Sequence, residues 1–162
     1  MIIKPIKTRI FTEKENLLSF IKNCIPRLSD KSILVVTSKI VALAEGRTAI
    51  IKSVQTKEDL IRAESELAIP TKYVWLTVKD GMVMASAGID ESNANGKLIL
   101  LPKDSFKTSR ELQQKLRLRY GVKNLGVLIT DSRTVPLRAG VTGVAIGYAG
   151  FRGIKDYRGT PD

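Results

Sequence analysis

The chain has 162 residues, enough to bury a real core within one domain, and its 43% hydrophobic and 27% charged residues are the balance of a globular protein. One cysteine, Cys24, and no histidine exclude an internal disulfide, multi-cysteine zinc sites, His-based triads and His-ligated metals. Lys and Arg outnumber Asp and Glu 27 to 16, a formal charge of +11 that attracts polyanions.

In chain order, Thr12-Glu13-Lys14-Glu15 has capping-box spacing. It predicts a helix on which Leu17, Leu18, Ile21, Cys24 and Ile25 share a face before Pro26. The β-branched run from Ile33 to Thr37 reads as a buried strand, and Ser38 to Ala44 as a short helix stopped by Gly46. A strand over Thr48 to Lys52 and an amphipathic helix over Thr56 to Ala68, ended by Pro70, follow. Tyr73 to Val78 and Met82 to Ala87 flank Lys79-Asp80-Gly81, a hairpin signal. Lys97 to Leu101 is the next strand. Thr108-Ser109-Arg110-Glu111 repeats the capping-box spacing and opens a helix to Gly121. Strands over Leu125 to Thr130 and Val141 to Tyr148 complete the set. Hairpins among isolated helices predict an α+β fold with mixed sheets, read as a single domain over residues 1–162 with room for a small second lobe.

No apolar run approaches bilayer length, and the N-terminus lacks a signal-peptide pattern, so a cytoplasmic protein without a membrane partner is expected. The positive charge is spread along the chain with no stacked aromatic set, helix-turn-helix or RNP motif. A basic nucleic-acid-binding domain is therefore the third reading, behind nucleotide or acidic-metabolite binding.

Without histidine, acid, base or metal chemistry rests on carboxylates, hydroxyls, amides and lysine. Asp90, in Ser86-Ala-Gly-Ile-Asp-Glu-Ser-Asn93, and Asp131-Ser132 each follow an apolar strand. Such loops either terminate strands by turn chemistry or supply hard oxygens to a cation such as magnesium. Thr37-Ser38-Lys39 stands where a strand feeds a helix, so Ser38 and Lys39 either bind phosphate or serve as a cap and a solvated charge. The glycines from 140 to 159 match neither phosphate-binding glycine motif and suit tight turns and close strand packing.

Together, VVTSKIVALAEGR (35–47), ASAGIDESN (85–93), LILLPKDS (98–105), GVLITDSRTVPLRAGVTGVAIGYAGF (126–151) and KDYRG (155–159) resemble the coenzyme F-420:L-glutamate ligase family. The stretch SRTVPLRAGVTGVA is closer to its branch of folate-metabolism γ-glutamate ligases. The resemblance implies a homodimeric, GTP-dependent ligase using Mg2+ or Mn2+. It would phosphorylate an acceptor carboxylate and then join it to the amine of L-glutamate. The acceptor would be an acidic small molecule, an F-420 precursor or a folate-like compound. Carried onto this sequence, Asp90 and Asp131 match shared metal ligands and Ser132 a ligand of a second metal. Ser38, Lys39 and Asn93 match GTP contacts, and Arg9, Ile10, Phe11 and Thr12 align with a GTP-contacting loop.

The chain departs from the pattern at Leu43, where deazaflavin-branch members carry a second lysine, and in a short stretch between Arg47 and Tyr73. Family ligases also continue beyond KDYRG with further nucleotide contacts and a second-metal ligand. A non-catalytic or split nucleotide-binding homologue that needs a partner chain is the second reading.

Overall fold

A computed structural model describes residues 2–50, 54–91, 96–135, 137–159 and 161. Its elements are α1 (Leu17–Cys24), β1 (Ser32–Thr37), α2 (Ser38–Ala44), β2 (Thr48–Ile50), α3 (Val54–Ala63), β3 (Leu67–Pro70), β4 (Trp75–Lys79), β5 (Met82–Ala85), β6 (Lys97–Ile99), α4 (Ser105–Tyr120), β7 (Leu125–Arg133) and β8 (Thr142–Ala149). A single 3-10 turn, Ser86–Gly88, follows β5. The fold is α+β, as expected.

The short continuous apolar runs form the central sheet, ordered β1-β7-β8, parallel between β1 and β7 and antiparallel between β7 and β8. Val127 and Ile129 of β7 point into the core, where Leu112 and Leu116 of α4, Ile21 of α1, Val41 of α2 and Met84 of β5 meet them. Burial of these side chains is the main favourable term, at roughly 1.5–3 kcal/mol for each large aliphatic residue. A second, antiparallel sheet has the order β3-β4-β5, and β2 pairs with β6. The β4–β5 hairpin turns through Asp80 and Gly81, both with positive φ, as the Asp-Gly signal requires.

Several boundaries differ from the sequence reading. Thr12 does not cap α1. Its backbone N–H and hydroxyl donate to Glu15, but Lys14 takes a left-handed φ of 61° that no helix continues, and Asn16 becomes the cap, accepting from Ser19 N at 2.9 Å. Likewise Asp104, not Thr108, caps α4 by accepting from Lys107 N at 2.8 Å, while the Thr108 hydroxyl donates to Glu45. Helix α3 stops at Ala63, because Glu66 N donates to Val78 O and the next four residues pair with β4 as strand β3.

Strand β1 is buried on one face only. Leu34 and Val36 turn inward, whereas Ile33 and Val35, on the opposite face of the strand, are 52% and 56% exposed. Strand β5 ends at Ala85, not Ala87, because Ser86 and Ala87 adopt left-handed φ, and β6 ends at Ile99. The predicted end of β2 at residues 51 and 52 lies outside the described residues. Strand β7 runs to Arg133, past the expected end at Thr130, because β8 continues to pair with it through Arg133↔Thr142.

Candidate functional site

The parallel pairing of β1 with β7 ends at Thr37↔Thr130. Beyond that point β1 turns into α2, while β7 continues along β8 alone, with a register shift opposite Ile129 and Thr130 that leaves Ile146 of β8 as the extra residue. The split leaves Ser38 facing Asp131, and the Ser38 hydroxyl donates to Asp131 Oδ1 at 2.7 Å. Alternation along β7 puts Arg133 on the same face as Asp131, and Arg133 Nε lies 3.4 Å from Asp131 Oδ2. Both carboxylate oxygens are thus engaged, one by Ser38 from α2 and the other by Arg133 two residues on along β7.

Asp90 reaches the same place from the hairpin sheet. Ser86, Ala87 and Gly88 all have left-handed φ, of 48°, 57° and 69°. Such a turn is costly for non-glycine residues and persists only where its surroundings hold it. The buried hydroxyl of Thr77 does so, donating to Met84 O and accepting from Ala87 N, each at 2.8 Å. Gly88 has a second constraint, since a Cβ there would stand 2.8 Å from Leu101 Cδ1. After the turn, Asp90 exchanges both backbone hydrogen bonds with Ile99, at 2.9 and 2.8 Å. Its carboxylate is then 2.5 Å from Lys39 Nζ.

Asp90 and Asp131 both line one cavity of about 590 Å³, together with Ser38, Lys39, Ser132 and Arg133. Met84, Ile89 and Val141 supply an apolar part of the wall. The Asp131–Arg133 pair is the more deeply buried, at 18% and 6% side-chain exposure against 37% and 32% for Asp90–Lys39. Solvent therefore screens the lysine pair more strongly. The donor set is all oxygen, and among the described residues no group of three or more His, Cys, Asp or Glu could hold a metal. Two carboxylates with neighbouring hydroxyls fit magnesium or manganese, which take few protein carboxylates and complete the shell with water or phosphate oxygens. A larger hollow of about 750 Å³ lies between the C-terminal ends of α1 and α4, but Lys22, Arg27 and Arg119 line it and no carboxylate does, so it offers no cation site.

Of the residues singled out from sequence, Ser38, Lys39, Asp90, Asp131 and Ser132 come together in the cavity wall. Asn93 lies outside the described residues. The segment from Arg9 to Thr12 is not in that wall. Arg9 pairs with Glu15 and stacks over Phe20, Phe11 is buried edge-on against the same ring, and Ile10 is 86% exposed. Lys14 N donates to Leu43 O, which ties the segment to the far end of α2. The Arg9 guanidinium holds the Glu15 carboxyl down at about 2. Sequence reasoning missed Thr77 and Arg133. The signal for Arg133 was its position two residues beyond Asp131, on the same strand face.

A family profile for F420-0:Gamma-glutamyl ligase matches residues 5–162. The coenzyme F420:L-glutamate ligase of Methanopyrus kandleri is 36% identical over 154 residues, covering 83% of this chain and 61% of the relative. Proteins with the same description from Archaeoglobus fulgidus and Halobacterium salinarum are each 30% identical over 84% and 83% of this chain. The chain spans about three-fifths of the length of these curated relatives, 61% in each case. The extent of the profile match, together with these identities, places the chain in the F420-0:γ-glutamyl ligase family.

Proposed function

We propose that this chain carries the metal- and phosphate-binding part of a ligase site that uses GTP to join L-glutamate to a carboxylate acceptor. The observation that carries the reading is the convergence of Asp131 of β7 and Asp90, held by its bridge to Ile99, on one cavity beside Lys39. The description of the relatives as coenzyme F420:L-glutamate ligases supports the reaction class. A net charge of +11 suits an acidic acceptor, an F-420 precursor or a folate-like compound.

In the proposed reaction an acceptor carboxylate oxygen attacks the γ-phosphorus of GTP, the bond to the β-phosphate oxygen breaks, and GDP leaves. The glutamate amine then attacks the acyl phosphate carbon, the C–O bond to phosphate breaks, and the amine gives up a proton as the amide forms. Asp90 and Asp131 would hold a magnesium or manganese ion, with Ser132 as a neighbouring oxygen. Such an ion neutralises charge on the transferred phosphoryl group. Lys39 supplies an ammonium to phosphoryl oxygens, and Ser38 keeps Asp131 in one orientation. Met84, Ile89 and Val141 give the cavity an apolar stretch of wall beside the charged groups. No protein nucleophile is needed, in keeping with a chain without histidine.

Amide formation from GTP, L-glutamate and candidate acceptors with magnesium or manganese tests the reading. Asp90→Ala and Asp131→Ala should each lower turnover at least ~100-fold, since each removes a direct ligand. Wild-type turnover in both variants would remove the metal roles. Metal-dependent GTP binding without amide formation, measured by calorimetry, would point instead to a nucleotide-binding module that needs a second polypeptide. The reading includes a homodimer, for which light scattering should give twice the chain mass.

A further inference from the structure

The Arg133 side chain is 6% exposed, yet its hydrogen bonding is incomplete. Nε reaches Asp131 Oδ2 only at 3.4 Å, the long limit for a hydrogen bond, and Nη1 donates to the Met82 sulfur at 3.2 Å, a weak acceptor. Nη2 is buried with no partner among the described residues. A buried guanidinium with one stretched ion pair is poorly compensated for the loss of its hydration. A structural arginine would be expected to fill its fork with carboxylate or carbonyl oxygens. A buried donor lacking an acceptor marks a place where one arrives from outside the chain.

Arg133 belongs to the wall of the cavity that holds Asp90 and Asp131. The cavity thus contains two kinds of cation. Lys39 is a compact point charge beside Asp90, suited to phosphoryl oxygens. Arg133 offers a planar fork that matches a carboxylate with two parallel hydrogen bonds. Glutamate needs such a partner, because both of its carboxylates remain anionic while its amine reacts. Met84 and Val141 in the same wall give an apolar surface for the methylene groups of that amino acid.

We propose that Arg133 is the carboxylate anchor for the amino-acid substrate in this cavity. The assignment rests on the ligase reading above and adds to it a residue that holds one carboxylate of the amino acid.

Calorimetry on the full chain tests the assignment, with L-glutamate titrated in the presence of manganese and GTP. Manganese–GTP and inorganic phosphate are titrated separately. Arg133→Lys should weaken glutamate binding roughly tenfold or more, the scale of one lost charge-assisted hydrogen bond, and leave manganese–GTP within about threefold. Arg133→Met should abolish glutamate binding and lower the melting temperature, because the part-buried Asp131 carboxylate loses its guanidinium partner, so Arg133→Lys, which keeps the charge, is the variant that should melt near the wild type. A marked fall in melting temperature, with glutamate affinity retained in Arg133→Lys, would make Arg133 merely structural and overturn the proposal. A loss confined to phosphate or GTP would assign the guanidinium to the phosphoryl group and overturn it as well. So would a wild-type protein that binds no glutamate. If the wild type binds glutamate through Arg133 but fails to bind manganese–GTP, the anchor stands and the GTP reading falls.

Discussion

Thr77 is the clearest link between packing and the site, and replacing it separates hydrogen bonding from volume. Its side chain is 1% exposed, and its hydroxyl bonds Met84 O and Ala87 N at 2.8 Å each. Thr77→Val keeps the branched shape but leaves the Ala87 N–H without this acceptor inside the protein. An orphaned buried donor costs about 1–3 kcal/mol, and the lost bond to Met84 O adds about 1 kcal/mol. The sum is roughly 2–4 kcal/mol, or a fall of about 4–16 °C in melting temperature for a chain of this size. Thr77→Ser keeps the hydroxyl and loses one methyl group, at about 1 kcal/mol. Urea unfolding monitored by circular dichroism should show the valine variant with a lower midpoint and an unchanged slope. The valine change should also weaken manganese–GTP binding, because the turn it loosens leads directly to Asp90, whereas the serine change should not. A valine variant no less stable than the serine variant would refute the claim that this hydroxyl holds the left-handed turn.

Lys39→Ala should reduce GTP affinity roughly tenfold, the scale of one charge-assisted hydrogen bond, and Lys79→Ala by less than about twofold, because Lys79 serves Glu64. Equal losses in a filter-binding assay would mean that overall charge attracts the nucleotide. Gly88→Ala should cost about 2–4 kcal/mol from left-handed strain plus the collision with Leu101, whereas Gly81→Ala, with φ of 68° and open space around it, should cost only about 1–2 kcal/mol. Chemical denaturation giving the same cost for both would show that Leu101 can step aside. The Glu15 carboxyl is depressed to about 2 by Arg9, so its contribution is complete above the ordinary carboxylate range and is lost as pH falls from about 4.3 toward 2. Thermal melts of Glu15→Gln should accordingly show a shallower acid decline than the wild type in that window, and identical declines would remove Glu15 from the acid response.

Sequence alone determined what short-range patterns can carry. Asp80-Gly81 sets a tight turn locally, and the short continuous apolar run around Val127 and Ile129 marks a core strand whatever its partners. The all-oxygen chemistry follows from composition, because a chain with no histidine and one cysteine has few other metal donors. The tertiary structure decided everything that depends on residues distant in the chain. Thr12 and Thr108 have cap spacing, yet Asn16 and Asp104 cap the helices, because the path of the flanking backbone selects among nearby candidates. Leu67 and Ala68 fall in the helix that the pattern predicts but become the start of β3 once β4 offers its hydrogen bonds. Arg9 to Thr12 align with a nucleotide loop, yet in this fold the side chains of Arg9, Phe11 and Thr12 are engaged by Glu15 and Phe20. The meeting of Asp90 with Asp131, and the burial of Arg133 beside them, arises where β7 outruns its parallel partner and a strained turn redirects the hairpin toward it. Periodicity reports which face of an element is apolar, but convergence of side chains comes from pairing between segments far apart in sequence, which no local pattern encodes.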